Sequence, residues 1–173
     1  APGKLNYGSG GVGSSQHLAG AMFKSRTGID ILHIPYKGSG PAVSDLLAGQ
    51  VDMMIDTGSL AQVQAGALRA LAVASRQRLP ALPDVPTFAE AGIADMHASA
   101  WYGIVAPAGT PAPIIAKLNA ELNRILKEAD VQKAIADTGS QAGGGTPEEF
   151  GAFIKSETAK WAHVIKAGNI QLQ

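Results

Sequence analysis

Leu5-Asn6-Tyr7-Gly8-Ser9-Gly10-Gly11-Val12-Gly13-Ser14-Ser15-Gln16-His17-Leu18 is the stretch on which the fold turns. It reads as the end of a β-strand, a glycine-rich turn and the start of a helix. Glycines at 8, 10, 11 and 13 permit positive φ and let another molecule approach the main chain closely. A helix opening at such a turn presents N–H groups and a partial positive charge, here flanked by the hydroxyls of Ser9, Ser14 and Ser15. That combination suits a carboxylate, phosphate or sulfate. The same spelling also serves a connection that only turns the chain.

Two named phosphate motifs can be tested on these residues. A P-loop needs Gly-Lys-Ser/Thr at the helix start, and Gly13-Ser14-Ser15 has no lysine. Gly8 to Gly13 fits the spelling Gly-x-Gly-x-x-Gly of a dinucleotide site. That fingerprint also needs an acidic residue ending the second strand, about twenty residues on. Asp30 stands near that distance but precedes the apolar run Ile31-Leu32-His33-Ile34, so the dinucleotide fit is weak.

Working outward, Gly28 is a natural stop for the helix carrying Leu18, Met22 and Phe23. Ile31 to Ile34 suits a buried parallel strand ended by Pro35. Ser39-Gly40-Pro41 opens a second helix with proline at its first position, and Gly49 closes it. Val51 to Ile55 reads as another buried strand running into the polar turn Asp56-Thr57-Gly58-Ser59. A short helix from Leu60 to Ala65 and a strand over Leu68–Ala74 follow. Alternation of this kind predicts a mostly parallel sheet covered by helices, with ligand outside the carboxyl ends of the strands. Both polar turns fall at such ends.

Prolines 80, 83 and 86 mark a surface loop before a short helix over Thr87–Ala91, and Ala98–Val105 reads as extended. Beyond Pro111 the pattern becomes helical. Ala112–Glu128 carries Ile115, Leu118, Leu122 and Ile125 on one stripe, and Asp130–Asp137 carries Val131 and Ile135. Thr146-Pro147-Glu148-Glu149 is a capping box opening a helix to Ala167, with Gly168 as its stop. These helices have wide apolar stripes and hardly any strand to lie on. Either they wrap the first unit or their partner surface is supplied by other sequence. In the second case the chain would self-associate or exchange helices between copies.

Composition narrows the function classes. The 173 residues carry 14 Lys and Arg against 14 Asp and Glu, which leaves no footprint for nucleic acid or an anionic membrane. There is no cysteine, so thiol chemistry is excluded. The four histidines, His17, His33, His97 and His163, have no metal-ligand spacing, and no serine shows an arranged triad. No cofactor, metal or catalytic residue is expected.

Taken in order, Tyr7–Leu18, His33–Ser39, Asp45–Asp52, Leu82–Thr87, Trp101-Tyr102-Gly103 with Ala106–Pro111, and Thr146–Phe150 resemble the blocks of the Bug-type receptors. These are the extracytoplasmic solute-binding proteins of the tripartite tricarboxylate transporters. The resemblance implies an α/β, type II periplasmic-binding-protein-like lobe with a mostly parallel sheet over 4–101. It makes 102–173 a returning segment with C-terminal helices of an incomplete other lobe. It further implies a periplasmic receptor, not an enzyme, holding a small organic carboxylate between lobes and passing it to membrane transporter subunits.

Carried onto this chain, the anion site comprises Ser9, Gly10, Gly11, Gly13, Ser14 and Ser15, with Asp56 and Thr57 as a second wall. Asp56 could instead cap the Leu60 helix or order a bridging water. Tyr7, His17, Tyr36 and Trp101 are weaker candidates. His17 reads better as a partly buried helix histidine and Lys37 as a solvated charge, while Trp101 reads equally as core packing. Met22, Met53, Met54 and Met96 read as core filler. An enzyme or phosphate-binding domain using Gly8–Ser15, and a non-binding fragment, are the rival classes.

Overall fold

A computed structural model of the chain describes residues 3–171. The backbone divides into two units. One comprises residues up to Ala100 together with those from Lys160 onward, and the other is Trp101–Ala159. None of its helices is long and apolar enough to cross a membrane, among the described residues.

The first unit is built on two parallel strands, β1 (Asn6–Ser9) and β2 (Leu32–Pro35), paired with Tyr7 opposite His33 and Gly8 opposite Ile34. Helix α1 (Ser15–Thr27) links them. Ser14 is its N-cap, its side chain accepting from His17 N–H, and Gly28 closes it in the left-handed conformation at φ 68°. Helix α2 (Ser39–Leu47) and the short α3 (Leu60–Gln64) follow. Proline 41 therefore sits third in α2 rather than first.

The run Val51–Ile55, expected as a strand, makes a single parallel bridge, Tyr7 to Met53, where Gly8 N–H donates to Met53 O at 3.0 Å. Its start fails to ladder because side chains take the backbone donors. Asn6 N–H goes to Asp52 Oδ2 at 2.8 Å, and Asp52 N–H goes to Asn6 Oδ1 at 3.1 Å. Leu68–Ala74 is likewise reduced to one bridge, Val73 to Thr87. Val73 pairs beside Pro86, which has no N–H to return. The expected helix at Thr87 is one capped turn: Thr87 and Glu90 exchange side-chain and backbone bonds, and Ala91 N–H reaches Thr87 O.

The core of this unit gathers Met22, Met96 and Val164, with Phe23, Phe88, Ile93 and Trp161 packed against them. A separate contact seats α1 on β1. A Cβ placed on Gly20 would lie 2.1 Å from Tyr7 Cε2, so the helix backbone rests directly on the tyrosine ring.

The second unit holds α4 (Ala112–Ile125), α5 (Ala129–Asp137) and the first part of α6 (Pro147–Ala167). The capping box forms as expected, Thr146 N–H donating to Glu149 and Glu149 N–H to Thr146 Oγ1. The left-handed residue after α6 is Asn169, not Gly168. Asn119 and Asn123 fasten the glycine turn by donating to Gly145 O. Trp101 meets Phe150 and Phe153 edge-on. The extended strip beyond it is bare, with Tyr102 91% and Val105 79% exposed.

Candidate functional site

β1, β2 and the Met53 bridge run parallel, so the loops after Ser9, Pro35 and Ile55 leave from the same edge. The glycine turn is tied to its neighbour by the main chain, with Tyr36 N–H donating to Ser9 O and Gly38 N–H to Gly10 O. Gly10 has no room for a side chain. A Cβ there would stand 2.8 Å from Gln16 Oε1 and 3.2 Å from the backbone of Gly38 and Ser39. Gly11 and Gly13 take φ of 133° and 80°, where L side chains are strained.

The donors of this turn fall into two sets. Gly10 N–H goes to Gln16 Oε1, Gly11 N–H to Ser9 Oγ, Gly13 N–H to His17 Nδ1, Ser14 N–H to Gly11 O and His17 N–H to Ser14 Oγ. The N–H groups of Val12, Ser15 and Gln16 have no hydrogen-bond partner among the described residues. Those three donors open at the helix N-terminus, where the dipole also favours negative charge. Ser15 adds an exposed hydroxyl.

Asp56 is the hub of the opposite wall. Oδ1 accepts from Gln16 Nε2 and, at 3.1 Å, from Ser39 Oγ. Oδ2 accepts from Gly58 N–H at 3.0 Å and from Ser59 Oγ. Gln16 Nε2 also donates to Ser39 Oγ at 3.0 Å. With both oxygens filled, this carboxylate orders the loops around it. Thr57, beside it, is exposed.

Behind the turn lies an aromatic stack. His17 and His33 are parallel at 3.8 Å between ring centroids, and Tyr7 stacks on His33 at 4.9 Å. Ser9 Oγ lies 2.6 Å from His33 Nε2. His17 Nδ1 accepts from Gly13, which places its proton on Nε2. Burial lowers the His17 pKa. Burial, helped by the nearby charges of His17 and Lys24, lowers that of His33 from 6.5 to about 4. Burial pushes the Tyr7 phenol up to about 12, so it stays protonated.

In the unfolded chain these imidazoles protonate near 6.5, while the folded chain keeps them neutral, so stability is full above pH 6.5. It is lost progressively as pH falls toward about 4. For these partly screened rings we expect a loss of about 1–2 kcal/mol between pH 6.5 and 5. Urea denaturation at half-unit pH steps measures it, and His33→Gln should flatten the slope. An unchanged slope in that variant would remove His33 from the account.

Tyr36 turns its hydroxyl away to Asp45 Oδ2 at 2.7 Å, and that bond raises its pKa. Trp101 belongs to the second unit, packed on phenylalanines. Gln16, Ser39, His33 and the Val12 amide were not singled out from the sequence. Gln16 stands within the quoted stretch, but partners 23 and 40 residues away leave no local signal. Among the described residues no group of three His, Asp or Glu side chains could hold a metal ion.

The family model described as "Tripartite tricarboxylate transporter family receptor" matches residues 1–170. A relative encoded in the tcbD–tcbE intergenic region of a Pseudomonas species is 46% identical over 167 residues, covering 95% of this chain and 50% of its own. A solved periplasmic transporter has a TM-score of 0.88 at 46% identity, covering 99% of this chain and 58% of that one. An R. palustris protein solved with adipate scores 0.87 at 35% identity, covering 98% and 57% respectively. MatC from Rhodopseudomonas palustris, with bound malate, scores 0.79 at 33% identity, covering 94% and 57%. The chain spans about half the length of most curated relatives it matches, and 94% of one from Pseudomonas knackmussii. These likenesses bear out the periplasmic-binding-protein-like α/β class expected from the sequence.

Proposed function

The chain belongs to the tripartite tricarboxylate transporter receptor family, and on that premise we propose that it is part of a periplasmic solute-binding receptor. The receptor captures a small organic carboxylate and hands it to membrane transporter subunits without chemical change. The observation that carries this reading is the set of unpaired N–H groups at Val12, Ser15 and Gln16, opening at a helix N-terminus beyond parallel strand ends. A carboxylate oxygen accepts such donors without needing a basic side chain. The bound adipate and malate of the two R. palustris relatives are of this chemistry.

In this reading Ser9, Gly10, Gly11, Gly13, Ser14 and Ser15 shape the anion cradle. Asp56 orders the facing loop and Thr57 lines it. Residues 4–101 form the ligand-binding lobe, and 102–173 carry the returning segment and C-terminal helices of the other lobe, although the stretch from Lys160 returns Trp161 and Val164 to the core of the first unit. The bare strip around Tyr102 and the exposed faces of Ile114 and Leu118 fit a role in covering further chain.

Calorimetric titration with C4–C6 dicarboxylates, tricarboxylates and aromatic acids tests the proposal. One of them should bind saturably and be recovered unaltered. Turnover of any would favour an enzyme using the same loop, and silence across the panel would favour a non-binding fragment.

A further inference from the structure

We propose that Gln16 is a positioning residue, whose side-chain amide sets the spacing of three loops around the bound carboxylate. This rests on the receptor reading above and deepens it. The residue faces two ways. Its backbone N–H is one of the three unpaired donors, while its side chain is wholly engaged. Oε1 accepts Gly10 N–H at 2.5 Å from the β1–α1 loop. Nε2 donates to Ser39 Oγ at the start of α2 and to Asp56 Oδ1 in the loop beyond the Met53 bridge.

The chemistry leaves a single orientation. An oxygen must face the Gly10 N–H and a nitrogen must face the Asp56 carboxylate, because a carboxylate can only accept. An asparagine is one methylene too short to span the three partners, and an apolar residue bridges none of them. Gly10 is closely backed on this side, since a Cβ built on it would stand 3.2 Å from the backbone of Gly38 and Ser39. Losing the bridge therefore frees the glycine turn and the Asp56 loop to move apart, and with them the donors at the helix N-terminus.

Glutamate at this position makes a sharp test. Ionised, it would aim a second negative charge at Asp56 Oδ1. Protonated, it again offers an acceptor to Gly10 and an O–H donor to Asp56. Wild type, Q16E and Q16M are to be titrated with adipate and with malate at pH 8 and pH 5.5, with melting curves recorded alongside. Relative to wild type at the same pH, Q16E should bind at least ~10-fold more weakly at pH 8 and recover to within ~3-fold at pH 5.5. Q16M should stay weak at both values. A merely structural glutamine would give variants whose affinity tracks their melting temperature, with no acid rescue, and that result overturns the inference. A Q16E as tight as wild type at pH 8 overturns it equally. If Q16E does not fold at pH 8, Ser39→Ala removes one of the two acceptors, and an unchanged affinity in that variant overturns the proposal. Where wild type binds neither, the acid of the panel that it does bind replaces them in the same titrations; a wild type that binds none of the panel defeats the receptor reading itself, and the inference with it.

Discussion

Gly20→Ala should lower the unfolding free energy by about 2–3 kcal/mol, although alanine is the better helix former by about 1 kcal/mol. The added methyl would stand 2.1 Å from Tyr7 Cε2 and 2.6 Å from Cζ. Tyr7 is 1% exposed and cannot yield. Its far face stacks on His33, and β1 is paired to β2 beneath it. Either α1 lifts from the sheet or the strand shifts, and both movements carry the glycine turn with them. Denaturant unfolding measures the loss. Tyr7→Leu in the same background should recover part of it, giving a coupling energy opposite in sign to additive damage. A Gly20→Ala protein as stable as the parent would refute the direct seat of α1 on the ring.

Asp56→Ala should weaken carboxylate binding by roughly 30-fold and cost about 1–3 kcal/mol of stability. Four donors lose their acceptor together: Gln16 Nε2, Ser39 Oγ, Gly58 N–H and Ser59 Oγ. Removing one partner of a satisfied network leaves the others desolvated, which costs more than the bonds contributed on balance. Asp56→Asn keeps one oxygen and should fall between alanine and the parent. Calorimetry for affinity and urea titration for stability read the two effects separately. Parental affinity in the alanine variant would show that the loop holds its place without this carboxylate.

The β1–turn–α1 unit was legible because its signals are local. The glycines, the Ser14 cap and the Gly28 stop act within a few residues of themselves, and the observed α1 begins and ends beside them. The Thr146 box was legible for the same reason. The apolar residues of Val51–Ile55 spell a strand, but the outcome depends on Asn6, which lies 46 residues from Asp52 and competes for the ladder donors. Leu68–Ala74 also spells a strand, and it is held to one bridge because its neighbour contains Pro86, a residue that can accept but not donate. At the site, the turn and Asp56 could be placed at one edge from topology alone. Which amides are spoken for could not, because Gln16 and His17 fold back onto the glycines through side chains. A sequence shows that a turn has donors; it does not show which are already spent.

The bare strip Trp101–Ala106 bears on how the protein behaves in a tube. Trp-Tyr-Gly-Ile-Val-Ala contains no charge and no proline, and its aromatic and β-branched members favour intermolecular strand pairing. Tyr102, Ile104 and Val105 are all more than 70% exposed, so no unfolding is needed before two copies meet through it. Pro107, at its end, is the one gatekeeper against growth of such a pairing. In the chain taken without further sequence over this strip, colloidal lifetime is therefore expected to follow protein concentration more than folding stability.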